Sequence, residues 1–161
     1  MVQWKPALII LFAILTPLAG GFLASLKTRN AIRTWYTTLV LPPWRPPNWL
    51  FAPAWTFLYL SMGYASYIVW RDGNGFNGPA RWPLVMYILQ LLMNWAWPPV
   101  FFIAHELKWS AVLITLMLLM VIITTITFYK VNRLAGWLMI PYIVWLAYAT
   151  SLNWKIYTDN S

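Results

Sequence analysis

The chain has 161 residues, of which 61% are hydrophobic and only 9% charged, with a formal net charge of +8 and no cysteine. So few charges cannot supply the surface of a soluble domain of this length. The basic residues sit at the ends of apolar runs instead of forming a stripe, which argues against nucleic acid as a partner and for anchoring at lipid headgroups; without cysteine there is neither disulfide nor thiolate chemistry.

The charged residues bracket five uncharged runs: 21 residues between Lys5 and Lys27, 25 between Arg45 and Arg71, 24 between Arg81 and Glu106, 21 between Lys108 and Lys130, and 21 between Arg133 and Lys155. A helix of about 20 apolar residues, rising about 1.5 Å per residue, crosses a hydrocarbon core about 30 Å thick. The runs are continuous and do not alternate, so helices rather than barrel strands satisfy the backbone in lipid. The expected fold is an all-α membrane protein: one integral-membrane domain over residues 1–161, a five-transmembrane-helix bundle with helices at roughly 6–26, 48–70, 82–103, 109–129 and 134–155.

Helix 1 exceeds the apolar core of about 7–15 residues of a signal peptide. Its Pro17 and the pair Gly20 and Gly21 predict a kink or a close helix crossing. The segment from Lys27 to Pro47 is the one long connection, stiffened by two Pro-Pro pairs and studded with Trp35, Tyr36 and Trp44. Disorder comes with few aromatics, so this long loop is expected to be ordered, a lid over the bundle. Helix 2 stops at Arg71-Asp72-Gly73-Asn74-Gly75. The short connections around His105 and Asn132 make helices 3, 4 and 5 antiparallel neighbours. The basic residues split six to five between the two ends, so the positive-inside rule selects no orientation; five crossings put the termini on opposite sides.

Polar residues inside the spans are the first candidates for chemistry. Gln90 and Asn94 are spaced i,i+4 and share one face of helix 3. Two uses fit that geometry, an interhelical staple worth about 0.6 kcal/mol or a ligand contact. Trp55, Tyr59 and Met62 form a stripe on helix 2, and Tyr142, Trp145, Ala149 and Leu152 another on helix 5. Such stripes report burial first, but a large aromatic beside a small residue leaves a slot for a flat ligand. Trp4, Trp70, Trp82, Trp109 and Trp154, near helix ends, read as interfacial anchors. His105 has no second histidine, cysteine or carboxylate cluster to complete a metal site and reads as a loop residue without a role. The only carboxylates, Asp72, Glu106 and Asp159, fall at membrane surfaces, which excludes paired-carboxylate catalysis.

The strings Trp35-Tyr36, Pro46-Pro47, Pro53-x-Trp55-x-x-Leu58-Tyr59-x-x-Met62-Gly63 and Gln90-x-x-x-Asn94-Trp95-Ala96-Trp97-Pro98-Pro99-x-Phe101-Phe102 carry a resemblance, joined by Pro141-Tyr142-x-x-Trp145 and Ala149-x-x-Leu152-Asn153. Over nearly its whole length the chain resembles the TspO/MBR family, the tryptophan-rich sensory proteins and mitochondrial translocator proteins. The resemblance implies a homodimer of five-helix bundles in a bacterial or mitochondrial membrane. Its pocket beneath the first loop would accept porphyrins and benzodiazepine-type or isoquinoline ligands. Carried over by motif, that pocket comprises Trp55, Tyr59, Asn94, Trp97, Trp109, Trp145, Ala149 and Leu152, with Trp44 and Phe51 near the lid. The C-terminal pattern associated with sterol binding in this family lacks its basic residue here, since Tyr157 is followed only by Thr158, Asp159, Asn160 and Ser161.

Three functions follow as expectations. The first is a membrane receptor or carrier for tetrapyrroles, protoporphyrin IX or haem as ligand, with no cofactor required. The second is a light-dependent porphyrin-degrading enzyme in which Trp55 and Trp145 are the catalytic candidates. The third is a sterol-binding protein or a scaffold for other membrane proteins. Coupled transport lacks support in the chain, which has neither repeat-related broken helices nor an ion site.

Overall fold

The computed structural model describes residues 4–161 and contains, among them, five long helices and no strand. The helices are α1 (Trp4–Arg33), α2 (Asn48–Asp72), α3 (Arg81–Pro98), α4 (Leu107–Val131) and α5 (Arg133–Asp159). A 3-10 turn at Trp35–Thr38 follows α1, another at Gly75–Asn77 follows α2, and a π-helical turn at Pro99–Ile103 extends α3. The anchoring expected of Trp4 concerns a side chain outside the described residues.

Among the described residues, four segments are long and apolar enough to cross a membrane: Pro6–Arg33, Arg81–Ile103, Leu107–Val131 and Arg133–Asp159. This is the architecture of a multi-pass integral membrane protein. α2 has the length, 25 residues, and no charged residue between Asn48 and Trp70, but its tyrosines, tryptophans, prolines and small residues keep its mean hydropathy outside that set.

Four of the helices, α1, α2, α4 and α5, overrun the apolar span expected of them, while α3 gives way to the π turn at Pro99–Ile103 within its own. α1 continues through Arg33, seven residues past the expected end, so the connection to α2 is Thr34 to Pro47 and not Lys27 to Pro47. An uncharged run measures hydrocarbon thickness, whereas helical hydrogen bonding carries on into the headgroup region wherever nothing breaks it. Thr28 takes part in that extension: it is buried, and its hydroxyl donates to the Ala24 carbonyl at 3.2 Å.

The helices close a ring in the order α1, α2, α5, α4, α3 and back to α1. α4 and α5 make the most extensive contact, as a hairpin with the single residue Asn132 between them allows. Asn132 caps α5, its side-chain oxygen accepting from the Leu134 amide at 2.8 Å and the Ala135 amide at 3.3 Å. Its amide nitrogen donates to Asp72 at 2.7 Å, tying the hairpin to the end of α2.

The core fills the ring's centre with Met62, Ala65 and Val69 of α2, Ile114, Met117 and Val121 of α4, and Met139, Tyr142 and Leu146 of α5. α1 lies against the others as an outer helix with Leu8, Phe12, Phe22 and Leu23 exposed. Two kinds of close approach hold it there. At Gly63 of α2 a Cβ would stand 2.7 Å from the Ala13 carbonyl oxygen and 2.8 Å from the Ile14 Cα, so backbone meets backbone. At Gly20 and Gly21 the space of a side chain is taken by the Trp95 and Tyr59 rings, so this glycine pair receives aromatics from α3 and α2.

Candidate functional site

The site is built from the ends of α2, α3 and α5 that lie beneath the α1–α2 loop. Helical periodicity brings Trp55 and Tyr59 to one face of α2, and Tyr142 and Trp145 to one face of α5. The rings meet: Trp55 stacks on Tyr59 with centroids 5.4 Å apart, and stands edge to face with Tyr142 at 6.1 Å and Trp145 at 6.4 Å. Phe51, one turn before Trp55, stands edge to face with Trp145 at 6.0 Å. Contacts of this kind add about 0.5–1.5 kcal/mol each beyond area burial.

Asn94 of α3 sits at the floor of this cluster. The Tyr59 hydroxyl donates to its side-chain oxygen at 2.7 Å, and its amide nitrogen donates to the Tyr142 hydroxyl, also at 2.7 Å. Tyr142 passes the chain on to the Met117 sulfur at 3.8 Å. Four helices are thus joined by one polar line through the middle of the bundle, with Asn94 bonded as an interhelical staple would be. Gln90, one turn away on the same face, is fully buried, and both ends of its amide lack a partner among the described residues.

Trp97 and Leu152 belong to a second apolar cluster, with Tyr36, Phe101 and Ile156, under the loop. Trp97 stacks on Phe101 at 5.1 Å. Phe101 is placed by the π turn, which Pro98 and Pro99 cause by removing the N–H groups that would bond the Asn94 and Trp95 carbonyls. The ladder resumes with wider spacing, the Ala104 amide donating to the Pro99 carbonyl at 2.9 Å. Ala149 is half-buried on α5, and its carbonyl accepts from the Asn153 side chain at 2.8 Å.

The loop is fastened at three points. The Tyr148 hydroxyl donates to the Trp44 carbonyl at 2.8 Å, and the two rings meet edge to face at 5.7 Å. The Asn160 side chain accepts from the Val40 amide at 2.8 Å and donates to the Val40 carbonyl at 3.0 Å. Trp35 lies flat on His105 with centroids 4.0 Å apart and planes 15° from parallel. His105 adopts a positive φ of 57° in the α3–α4 connection and therefore has a packing role that its isolation in the sequence concealed. Tyr36 is tucked beneath the loop, and burial raises its phenol pKa above the ordinary value, with Arg45 opposing.

Of the residues expected at the pocket, the structure gathers Phe51, Trp55, Tyr59, Asn94 and Trp145 in one cluster and Trp97 and Leu152 in the adjoining one. Trp44 lies in the loop, 45% exposed, joined to the site through Tyr148. Trp109 does not join them. It is 60% exposed, with the Lys108 ammonium 5.9 Å from its ring, because the buried face of α4 at this level is that of Ser110, Ala111 and Ile114 and Trp109 points away from it. Sequence reasoning missed the fastenings. Tyr148 stands three residues after Trp145, a spacing that hinted at its face, whereas nothing near Asn160 indicated a partner 120 residues away.

The sequence model described as the TspO/MBR family matches residues 13–158. The chain is 42% identical over 157 residues to the Translocator protein of Bos taurus, covering 98% of this chain and 91% of the relative. It is 37% identical over 149 residues to the Tryptophan-rich protein TspO of Archaeoglobus fulgidus, covering 92% and 95% of the two chains. Protein CrtK of Rhodobacter capsulatus is 35% identical over 127 residues, 78% of each chain.

Proposed function

The chain belongs to the TspO/MBR family, and from that premise we propose that it is a five-pass membrane receptor or carrier that holds a flat tetrapyrrole, protoporphyrin IX or haem, between Trp55 and Trp145. The fifth crossing is α2, which is packed between α1 and α5 and uncharged from Asn48 to Trp70. The observation that carries the reading is the convergence of Phe51, Trp55, Tyr59, Tyr142 and Trp145 on one another beneath a fastened loop.

The chemistry follows from that arrangement. A macrocycle is a large apolar plane, and the rings that now pack edge to face would reorient to stack on it. Each contact contributes about 0.5–1.5 kcal/mol. Release of Trp44 from Tyr148 and of Val40 from Asn160 would open the way in, at the cost of three hydrogen bonds worth about 0.5–1.5 kcal/mol each. Arg29, Arg33 and Arg45, at the loop end of the bundle, are cations that would attract the ligand's carboxylates.

The test is a titration of the purified protein with protoporphyrin IX, read by quenching of tryptophan fluorescence, at low and high ionic strength. Saturable quenching that weakens as salt rises is expected, since exposed cations are screened. Absence of saturation would remove the tetrapyrrole reading, and saturation indifferent to salt would remove the role of the arginines. The contact between Trp55 and Trp145 also favours a second reading, light-dependent oxidation of bound porphyrin by dioxygen, which takes up the electrons, with these tryptophans as electron or radical participants. On that reading illuminated protoporphyrin IX bleaches to a defined product with the wild type and not with Trp145→Phe, and equal bleaching would dismiss it.

A further inference from the structure

We propose that a groove on the membrane face of α1, α2 and α3, at the end of the bundle away from the loop, holds one acyl chain of an anionic glycerophospholipid whose phosphate sits at Arg81. The groove has a volume of about 550 Å³, within the range of roughly 300–1,000 Å³ typical of specific ligand sites. Its walls are Phe12 and Thr16 of α1, Trp70 of α2, and Leu84, Ile88 and Leu91 of α3. The lining is mostly apolar: the Thr16 and Ser66 hydroxyls are already bonded to the Phe12 and Gly63 carbonyls of their own helices, at 2.7 Å and 2.8 Å, and the buried Tyr87 hydroxyl is the polar group of the lining without a partner among the described residues.

The occupant follows from length and charge. On α3 the lining residues Leu84, Ile88 and Leu91 form one stripe, and Arg81 stands three residues before Leu84 on the same face. From Arg81 to Leu91 the helix rises about 15 Å, at about 1.5 Å per residue, which is half of a hydrocarbon core about 30 Å thick. One leaflet, and so one acyl chain reaching from headgroup to midplane, matches that depth; a helix of a second copy would continue through the other leaflet.

Arg81 is exposed and free to meet a phosphate. Of the three carboxylates in the chain, Asp72 is taken by Arg71 and Asp159 by Lys155, while Glu106 lies at the opposite end of α3. The guanidinium instead lies 5.7 Å over the Trp82 ring, an aromatic at interfacial level. An apolar groove one leaflet deep beneath an unpaired cation is complementary to an anionic two-part amphiphile.

The test titrates delipidated protein in detergent with dioleoylphosphatidylglycerol or dioleoylphosphatidylcholine and counts bound lipid by native mass spectrometry. One phosphatidylglycerol per chain is expected at concentrations where phosphatidylcholine is lost. Arg81→Gln should weaken phosphatidylglycerol about five-fold and leave phosphatidylcholine unchanged. Thr16→Trp and Ile88→Trp, which fill the groove from opposite walls, should displace the chain while the protein melts as the wild type does. Equal retention of the two lipids, retention indifferent to both tryptophans, or a lipid-free dimer in which Phe12→Cys cross-links one groove to another would each overturn the proposal. None of these readouts depends on tetrapyrrole binding.

Discussion

Asn94 is committed before any ligand arrives, because both ends of its amide are engaged by tyrosine hydroxyls from α2 and α5. Replacing it strands two buried hydroxyls in an apolar interior, at a cost of about 1–3 kcal/mol. Asn94→Ala should therefore lower the melting temperature in detergent clearly more than Tyr59→Phe, which deletes one of the two bonds and keeps the other. Equal melting of the two variants would mean that the network is not a staple. The same residue shows why the polar pair on α3 divided: Asn94 lies level with Tyr59 and Tyr142, whereas Gln90, one turn off, meets no partner among the described residues. Spacing on one helix identifies a shared face, but which member finds partners depends on the register of the helices opposite.

At the scale of elements, α1 is held by proximity rather than by a buried apolar stripe, and at Gly63 it is backbone that meets backbone. Gly63→Leu pushes a side chain into the α1 backbone at Ala13 and Ile14, which cannot yield as a rotamer does. Overpacking of this kind costs about 1–3 kcal/mol, and limited proteolysis should show α1 released first; an unchanged pattern would contradict the tight crossing. The loop makes a second prediction. Asn160→Ala removes both bonds to Val40, so amide exchange at Val40 should accelerate roughly tenfold or more, and unchanged exchange would show that the loop is held elsewhere. A third concerns the joint between α2 and the α4–α5 hairpin. The hydrogen bond from Arg71, aided by that from Asn132, holds the Asp72 carboxyl below its ordinary value of 3.8. A depressed carboxylate stabilises the fold fully above that value and loses its contribution as pH falls through the lower, folded value. Melting temperature should accordingly drop on acidification below 3.8, and by less in Asp72→Asn; identical acid profiles would remove this joint from the account.

For the whole molecule, the number of long helices and their succession were legible because charge in a membrane protein is confined to helix ends, so gaps between charges measure spans. Their overrun into the headgroup region was not legible, since no apolar pattern marks a helix that simply continues, as α1 does to Arg33. Nor was the ring order, which sets α5 between α2 and α4 and thereby brings Trp145 to Trp55 across about 90 residues of sequence; the short connections fixed only α3, α4 and α5 as neighbours. Of the site, the stripes of α2 and α5 were readable as faces. The fastenings of the loop by Tyr148, His105 and Asn160 were not, because each is a single residue meeting a distant partner.

Two tryptophans, Trp145 and Trp109, are both carried to the site by the family motif, but only Trp145 also lies on a helix stripe, and the fold separates them: Trp145 is in ring contact with Trp55 and Phe51, whereas Trp109 stands exposed on the outside of α4. Protoporphyrin IX titrated into Trp145→Ala and Trp109→Ala therefore tests the central claim most directly. The account predicts an affinity reduced about tenfold by Trp145→Ala, as the loss of one stacking contact of about 1.4 kcal/mol requires, with Trp109→Ala binding as the wild type does. Equal weakening by both variants, or by neither, would contradict the inter-helical cluster as the binding site.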